Sequence, residues 1–155
     1  MKKIFITTAI AALFTANVFA FEGGKKTDEG SAKTANYVAL TKFNADFVRA
    51  QNATWKVTSN FQKVSFVMDD VQMAAFYDFK GELIGVTSAV QFKALPEKAK
   101  LEIGQKYAGY FAKEVIKLES GDDSISYFVD LKKDNDELLV RVTPTADVSF
   151  VQKVK

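Results

Sequence analysis

The chain has 155 residues with 21 Lys and Arg, 19 Asp and Glu, and neither histidine nor cysteine, for a formal charge of +2 at neutral pH. Without those two residue types, serine–histidine triads, cysteine proteases, histidine general bases and zinc sites of the usual His/Cys kind are excluded. No disulfide can form, so stability has to come from a hydrophobic core, for which a chain of this length suffices.

Lys2 and Lys3 precede an uncharged apolar run, residues 4–16, that is too short to cross a bilayer, and Val18 and Ala20 put small residues ahead of a cut. Residues 1–20 therefore read as a signal peptide cleaved near Ala20/Phe21, with no lipidation cysteine behind it and no membrane span left in the mature chain. The expected location is the periplasm or the medium. Cleavage removes two lysines and no acid, leaving 19 basic against 19 acidic residues. That balance gives no electrostatic footprint for nucleic acid or anionic lipid.

Residues 21–33 are rich in glycine and charge with one aromatic, Phe21, and read as a flexible leader that cannot offset its ordering entropy. Then Tyr37, Leu40, Phe43, Phe47 and Val48 recur at helical spacing, with Asn52 expected to end the helix. Residues 54–59 open the first strand. Val64, Phe66 and Met68, then Met73, Ala75 and Tyr77, alternate on either side of Asp69-Asp70, which predicts a hairpin, and Lys80-Gly81 supplies a second turn. A strand follows over 83–92, with Gly85 as a bulge or bend. Leu95-Pro96-Glu97 starts a second helix, with proline at its first position and Glu97 at the positive end of the dipole, and Ala99, Ile103, Tyr107 and Tyr110 form its buried stripe. Strands are predicted over 115–119, 124–132, 137–143 and 146–154, with Pro144 as an edge or bulge proline.

The two halves echo each other. Val64, Phe66, Met73, Ala75, Tyr77 and Leu83 fall 65 residues before Val129, Leu131, Leu138, Val140, Val142 and Val148, while Phe43 and Phe47 fall 60 before Ile103 and Tyr107. The expected fold is α+β: a tandem repeat of one helix plus an antiparallel meander, repeats 34–92 and 95–154 of a single domain 34–154, with two helices on one face of a near-continuous antiparallel sheet of about eight strands.

These elements carry a resemblance. The exported chain, the Phe-Tyr-Asp-Phe-Lys-Gly-Glu-Leu stretch (76 to 83), the Leu95-Pro96 helix start and the Tyr107-Ala-Gly-Tyr110 segment are similar to the PepSY-like, beta-lactamase-inhibitor-like (BLIP-like) family of bacterial secreted proteins, over about residues 34–154. The resemblance implies a tandem fold with a concave sheet face, which the name-giving inhibitors use to grip a target enzyme. Those inhibitors carry disulfides, and this chain has none.

Candidate chemistry reduces to carboxylates, Lys, Tyr and Ser. Asp69-Asp70, Asp122-Asp123 and the acidic stretch Asp134 to Glu137 lie where hairpins reverse and lack a calcium-loop pattern, so they read as turn chemistry. Trp55 reads as core. If Val64, Phe66, Met73, Ala75 and Tyr77 face the helices, opposite parity sends Val67, Phe76, Phe128 and Leu139 to the other face, beside Asp78, Asp130, Lys132 and Arg141. Val67, Phe76, Asp78, Phe128, Asp130, Leu139 and Arg141 are thus the candidate partner-binding residues on an uncovered face. On that reading, replacing Phe76 and Phe128 weakens partner capture and leaves stability nearly intact. The expected function is non-enzymatic binding of a protein or envelope partner by a monomer or weak dimer, without cofactor or metal and with inhibition as one form it can take. A carrier of small apolar or aromatic ligands in the periplasm is the alternative.

Overall fold

The computed structural model describes residues 35–154, so the signal segment and the leader lie outside it. Helix α1 (Tyr37–Asp46) is followed by β1 (Gln51–Val57), β2 (Gln62–Met68), β3 (Val71–Tyr77) and β4 (Leu83–Val90). A 3-10 turn over Phe92–Ala94 leads into α2 (Glu97–Lys106), and then β5 (Phe111–Ser120), β6 (Ile125–Lys133), β7 (Asp136–Val142) and β8 (Val148–Lys153) complete the chain. All eight strands form one antiparallel sheet in chain order, with β4 beside β5. The fold is α+β, two helices on a single open sheet.

Burial of one face of each helix explains the arrangement. Ala39 and Phe43 of α1 pack on Trp55, Val64, Phe66, Ala75 and Tyr77, with Phe47 half-buried beside them. Phe43 meets Trp55 edge-on at 5.7 Å between centroids and Phe66 at 5.1 Å, the tilted geometry that aromatic quadrupoles favour. Trp55 is core, as expected. Ala99 and Ile103 of α2 sit on Val115, Val129, Leu131, Leu138, Val140 and Val142. The predicted α1 stripe is right at its centre and wrong at its ends: Tyr37 and Val48 are each 80% exposed, Val48 because the helix stops at Asp46.

Hydrogen bonds set where α1 begins. The Asn36 side chain accepts from the Val38 N–H at 2.7 Å, and its amide donates to the Phe79 carbonyl at 2.9 Å. Buried Gln62 accepts from the Asn36 N–H and donates to the Asp78 carbonyl at 2.8 Å, tying the helix start to the β3–β4 turn. At α2, Pro96 immediately precedes the first helical residue instead of being it.

The pairing shows which local breaks were legible. Asn52, expected to end the first helix, lies instead in β1 at φ 55° within a bulge. Strand β5 starts at Phe111, well before the predicted Val115, because a bulge at Lys113 interrupts the alternation that periodicity relies on. Ile84 is the extra residue of the β3–β4 bulge, next to Gly85. Pro144 lies in the β7–β8 turn. Asp69 and Asp70 form the two-residue β2–β3 turn with φ of 52° and 63°, the left-handed pair that matches strand twist. The partners Val64–Ala75 and Phe66–Met73 of β2–β3 have their counterparts 65 residues on, in Val129–Val140 and Leu131–Leu138 of β6–β7.

Gly81 and Ala146, at the same offset of 65, both sit at left-handed φ, 82° and 64°, yet are not interchangeable. A Cβ on Gly81 would come within 2.7 Å of the Val38 Cβ and 2.9 Å of the Ala39 nitrogen. Gly81→Ala should therefore destabilise by roughly 3 kcal/mol, combining left-handed strain with a backbone clash, while Ala146→Gly should change stability by under about 1 kcal/mol. Urea unfolding of the two variants measures the contrast, and equal effects would mean that α1 does not press on the turn.

Candidate functional site

Both helices occupy one side of the sheet, so the register maps the other side directly, since partners across a ladder share a face. One transverse row runs Thr54, Ser65, Ala74, Thr87, Leu118, Ser126 across β1 to β6. On one flank lie Lys56, Lys63, Phe76, Gly85 and Ser120; on the other, Ala89, Ile116, Phe128, Arg141 and Ser149. Beyond the second flank stand Glu114, Asp130, Leu139 and Gln152. The parity read from sequence is thus right for Phe76, Phe128, Asp130, Leu139 and Arg141.

Their exposure is not as expected. Phe76 is 3% exposed, Phe128 2% and Leu139 0%, and they form a core of their own with Ala74 and Leu118, flanked by Phe61, Ile84, Ile116 and Val151. Among the described residues no helix covers them. The cluster packs side chain on side chain across neighbouring strands, with Leu118 Cδ1 only 3.3 Å from where a Gly85 Cβ would stand. Parity assigns a face but carries no information about how deeply that face is packed.

The remaining candidates divide. Asp78 organises the β3–β4 turn, its carboxylate accepting from the Lys80 and Glu82 N–H groups at 2.8 Å each. Val67 is half-buried at the rim, in a shallow polar depression with Arg49, Gln51 and Asp69. Arg141 lies over the Phe128 ring at 6.0 Å and donates to Ser126 Oγ at 3.2 Å. On the opposite flank Lys63 lies over Phe76 at 5.8 Å. Lys63 and Phe76 precede Phe128 and Arg141 by 65 residues, so cation and ring have exchanged strands.

Asp130 is 1% exposed and belongs to a charged clamp across three strands. Lys113, thrown out by the β5 bulge, holds Glu137 at 2.7 Å and Asp130 at 3.5 Å. Burial first, then the adjacent Glu137 carboxyl, pushes the Asp130 carboxyl up to about 6, with Lys113 pulling the other way. Burial and the Asp130 charge raise Glu114 as well. On the basic flank, burial and then the Lys56 charge lower the Lys63 ammonium.

A second feature lies at the C-terminal end of α2. A cavity of about 320 Å³ is lined by Phe92, Ile103, Tyr107, Tyr110 and Phe111, with Gly104 on its helical wall. Nothing lies within 4 Å of where a Gly104 Cβ would be. The sequence expects Tyr107 and Tyr110 in a buried stripe; both are half-buried, packed against the core beneath α2. Among the described residues no group of three or more Asp and Glu is arranged to hold a metal ion, and no helix is long and apolar enough to cross a membrane.

Three solved structures superpose on this architecture. A DUF2874 family protein from Bacteroides uniformis matches with TM-score 0.71 at 13% identity, over 77% of this chain and 90% of that one. A BLIP-like protein from Bacteroides fragilis matches with TM-score 0.64 at 11% identity, over 77% and 86%. The chain has the BLIP-like fold. A protein from Bacteroides eggerthii, described provisionally as periplasmic, matches with TM-score 0.71 at 12% identity over 77% and 89%. No family model and no curated protein matches the sequence.

The lysine pair and the row of small residues escaped the sequence reading. Their signal was present in principle: Lys56 and Lys63 straddle the turn at 58–61 symmetrically, so the β1–β2 register alone would have set them opposite each other.

Proposed function

We propose that this is an exported, non-enzymatic binding protein that engages a protein or envelope partner with the helix-free face of its sheet. The observation carrying the reading is the row Thr54, Ser65, Ala74, Thr87, a strip of small side chains across β1 to β4, exposed at Thr54, half-buried at Ser65 and Thr87 and buried at Ala74, that no other described element covers. A partner segment can lie across such a strip without displacing a side chain. The cation–ring pairs at its margins are of the residue types that anchor protein interfaces. The shared fold with a BLIP-like protein and a provisionally periplasmic one is consistent with this reading and with export.

Ser65→Tyr raises the floor of the strip while keeping a residue that strands accept. Affinity capture from periplasmic extract, read by mass spectrometry, should recover a partner with the wild type and lose it with Ser65→Tyr at an unchanged melting temperature. Equal recovery by both proteins would overturn the reading.

A carrier function has its own observation, the aromatic cavity beside α2. The equivalent positions 60 residues earlier hold Asn44, Ala50 and Gln51 in place of Gly104, Tyr110 and Phe111, so the scaffold does not require that aromatic lining. Uptake of an apolar fluorescent dye, abolished by Gly104→Trp and untouched by Ser65→Tyr, is the result this second reading expects.

A further inference from the structure

On β1 and β2, Lys56 and Lys63 are direct cross-strand partners on the helix-free face. Like charges set opposite each other destabilise a ladder, and carboxylates ordinarily relieve them. None does so here: Lys42, Arg49, Lys98, Lys100, Lys106, Lys113, Lys117 and Lys153 each find an acidic partner, but no ion pair among the described residues involves Lys56 or Lys63. Lys63 is also constrained. Its ammonium lies 5.8 Å from the centre of the Phe76 ring, over the edge of an apolar core, and burial together with the Lys56 charge lowers its proton affinity. A partly desolvated ammonium, Lys63, is thus set across the ladder from the exposed like charge of Lys56, beside Phe61 and Phe76, which contact edge-on at 5.6 Å. The two lysines flank the row of small residues at its β1–β2 end, Lys56 two positions after Thr54 and Lys63 two before Ser65 on that same face.

We propose that the Lys56–Lys63 pair is the docking point for a carboxylate side chain of an acidic segment of a protein partner, laid across the helix-free face. This rests on the sheet-face reading and specifies the partner's chemistry. A carboxylate between the two ammonium groups converts their repulsion into two attractions, and an adjacent apolar side chain meets the Phe61–Phe76 wall. The charge distribution of the face suits an acidic occupant at this end: Lys56 and Lys63 on β1 and β2 have no acidic partner among the described residues, whereas Glu114, Asp130 and Glu137 on β5 to β7 stand among Lys113, Lys132 and Arg141, with Lys113 already holding Asp130 and Glu137.

Lys56→Glu tests the proposal. Glutamate at the edge position 56 pairs with Lys63 across the ladder, so the variant should melt at a higher temperature and still be unable to take a carboxylate. The probe is a synthetic peptide of glutamates and serines around a central leucine, compared with its glutamine counterpart and measured by titration calorimetry on the mature chain. The wild type should bind the acidic peptide in a salt-sensitive manner and ignore the amide one, with affinity falling about tenfold or more in Lys56→Glu and in Lys63→Met, the latter keeping the packed stem. Absence of binding to the wild type would overturn the proposal. So would equal, equally lysine-dependent binding of inorganic phosphate or phosphatidylglycerol vesicles, which would make the pair a general anion site. Peptide binding lost in Ser65→Tyr but kept in Lys56→Glu would remove the lysine anchor and leave the sheet-face reading standing; indifference to both substitutions would remove both.

Discussion

Phe128→Ala should lower the free energy of unfolding by about 3–5 kcal/mol, the range for deleting a fully buried aromatic side chain. Phe128 is 2% exposed in a core with Phe76, Leu118 and Leu139 that lies on the side of the sheet away from the helices. The cavity left there has rigid walls, because Leu118 and Leu139 are each anchored in a paired strand. The Arg141 guanidinium would also lose the ring on which it rests. Phe79, half exposed in the β3–β4 turn, serves as the control, since Phe79→Ser should cost less than about 0.5 kcal/mol. Urea unfolding followed by circular dichroism measures both. A Phe128→Ala penalty near that of the control would mean the ring is solvated, as the sequence alone suggests. The outcome also bears on any interface study, because loss of binding in Phe76 or Phe128 variants would report unfolding and not a lost contact.

Stability should fall as pH rises from about 4 to about 7, the reverse of ordinary acid denaturation over that span. The cause is Asp130, whose carboxyl is pushed up to about 6 from an ordinary 3.8 by burial and by Glu137. Between those values the folded chain holds a proton that the unfolded chain has released, so raising the pH favours unfolding. The stabilisation is complete below about 4 and lost once pH passes about 6, amounting to roughly 3 kcal/mol at 1.36 kcal/mol per unit. Glu114, also raised, adds in the same direction. Opposing losses begin only at lower pH, where Asp136 and Asp147, held down by Lys153 and Lys98, take up protons. Asp130→Asn should flatten the pH dependence and raise stability at neutral pH, because a neutral amide escapes the cost of burying charge beside Glu137. Stability that climbs between pH 5 and 7 in the wild type would dismiss the clamp as the source.

What the sequence made legible is what alternation and helical spacing encode. Val64–Ala75 and Phe66–Met73 were readable as a hairpin about Asp69-Asp70, and Trp55 as core, since each follows from a regular period and a turn residue. The bulges at Asn52, Lys113, Ile84 and Val151 were not readable, because one inserted residue shifts parity with no compositional mark; they account for the misplaced starts of β1 and β5. The candidate site failed at one step. Phe76 and Phe128 fall on the face that parity assigns, but whether they are exposed there depends on side chains from neighbouring strands, Leu118 and Leu139 among them, and no local pattern carries that information.

The irregularities at the two margins of the sheet have a consequence for solubility. Where β4 meets β5, strands from the two halves join by ladder hydrogen bonds, and β8 of one molecule is oriented to receive β1 of another in the same manner. Nothing in the symmetry of such a head-to-tail contact closes it, so it would grow into a fibre. Asn52 at φ 55° disrupts the outer rim of β1, and the extra Val151 disrupts that of β8, so neither margin offers an uninterrupted run of donors and acceptors. Two displaced residues, one at each margin, thus keep molecules of this fold apart.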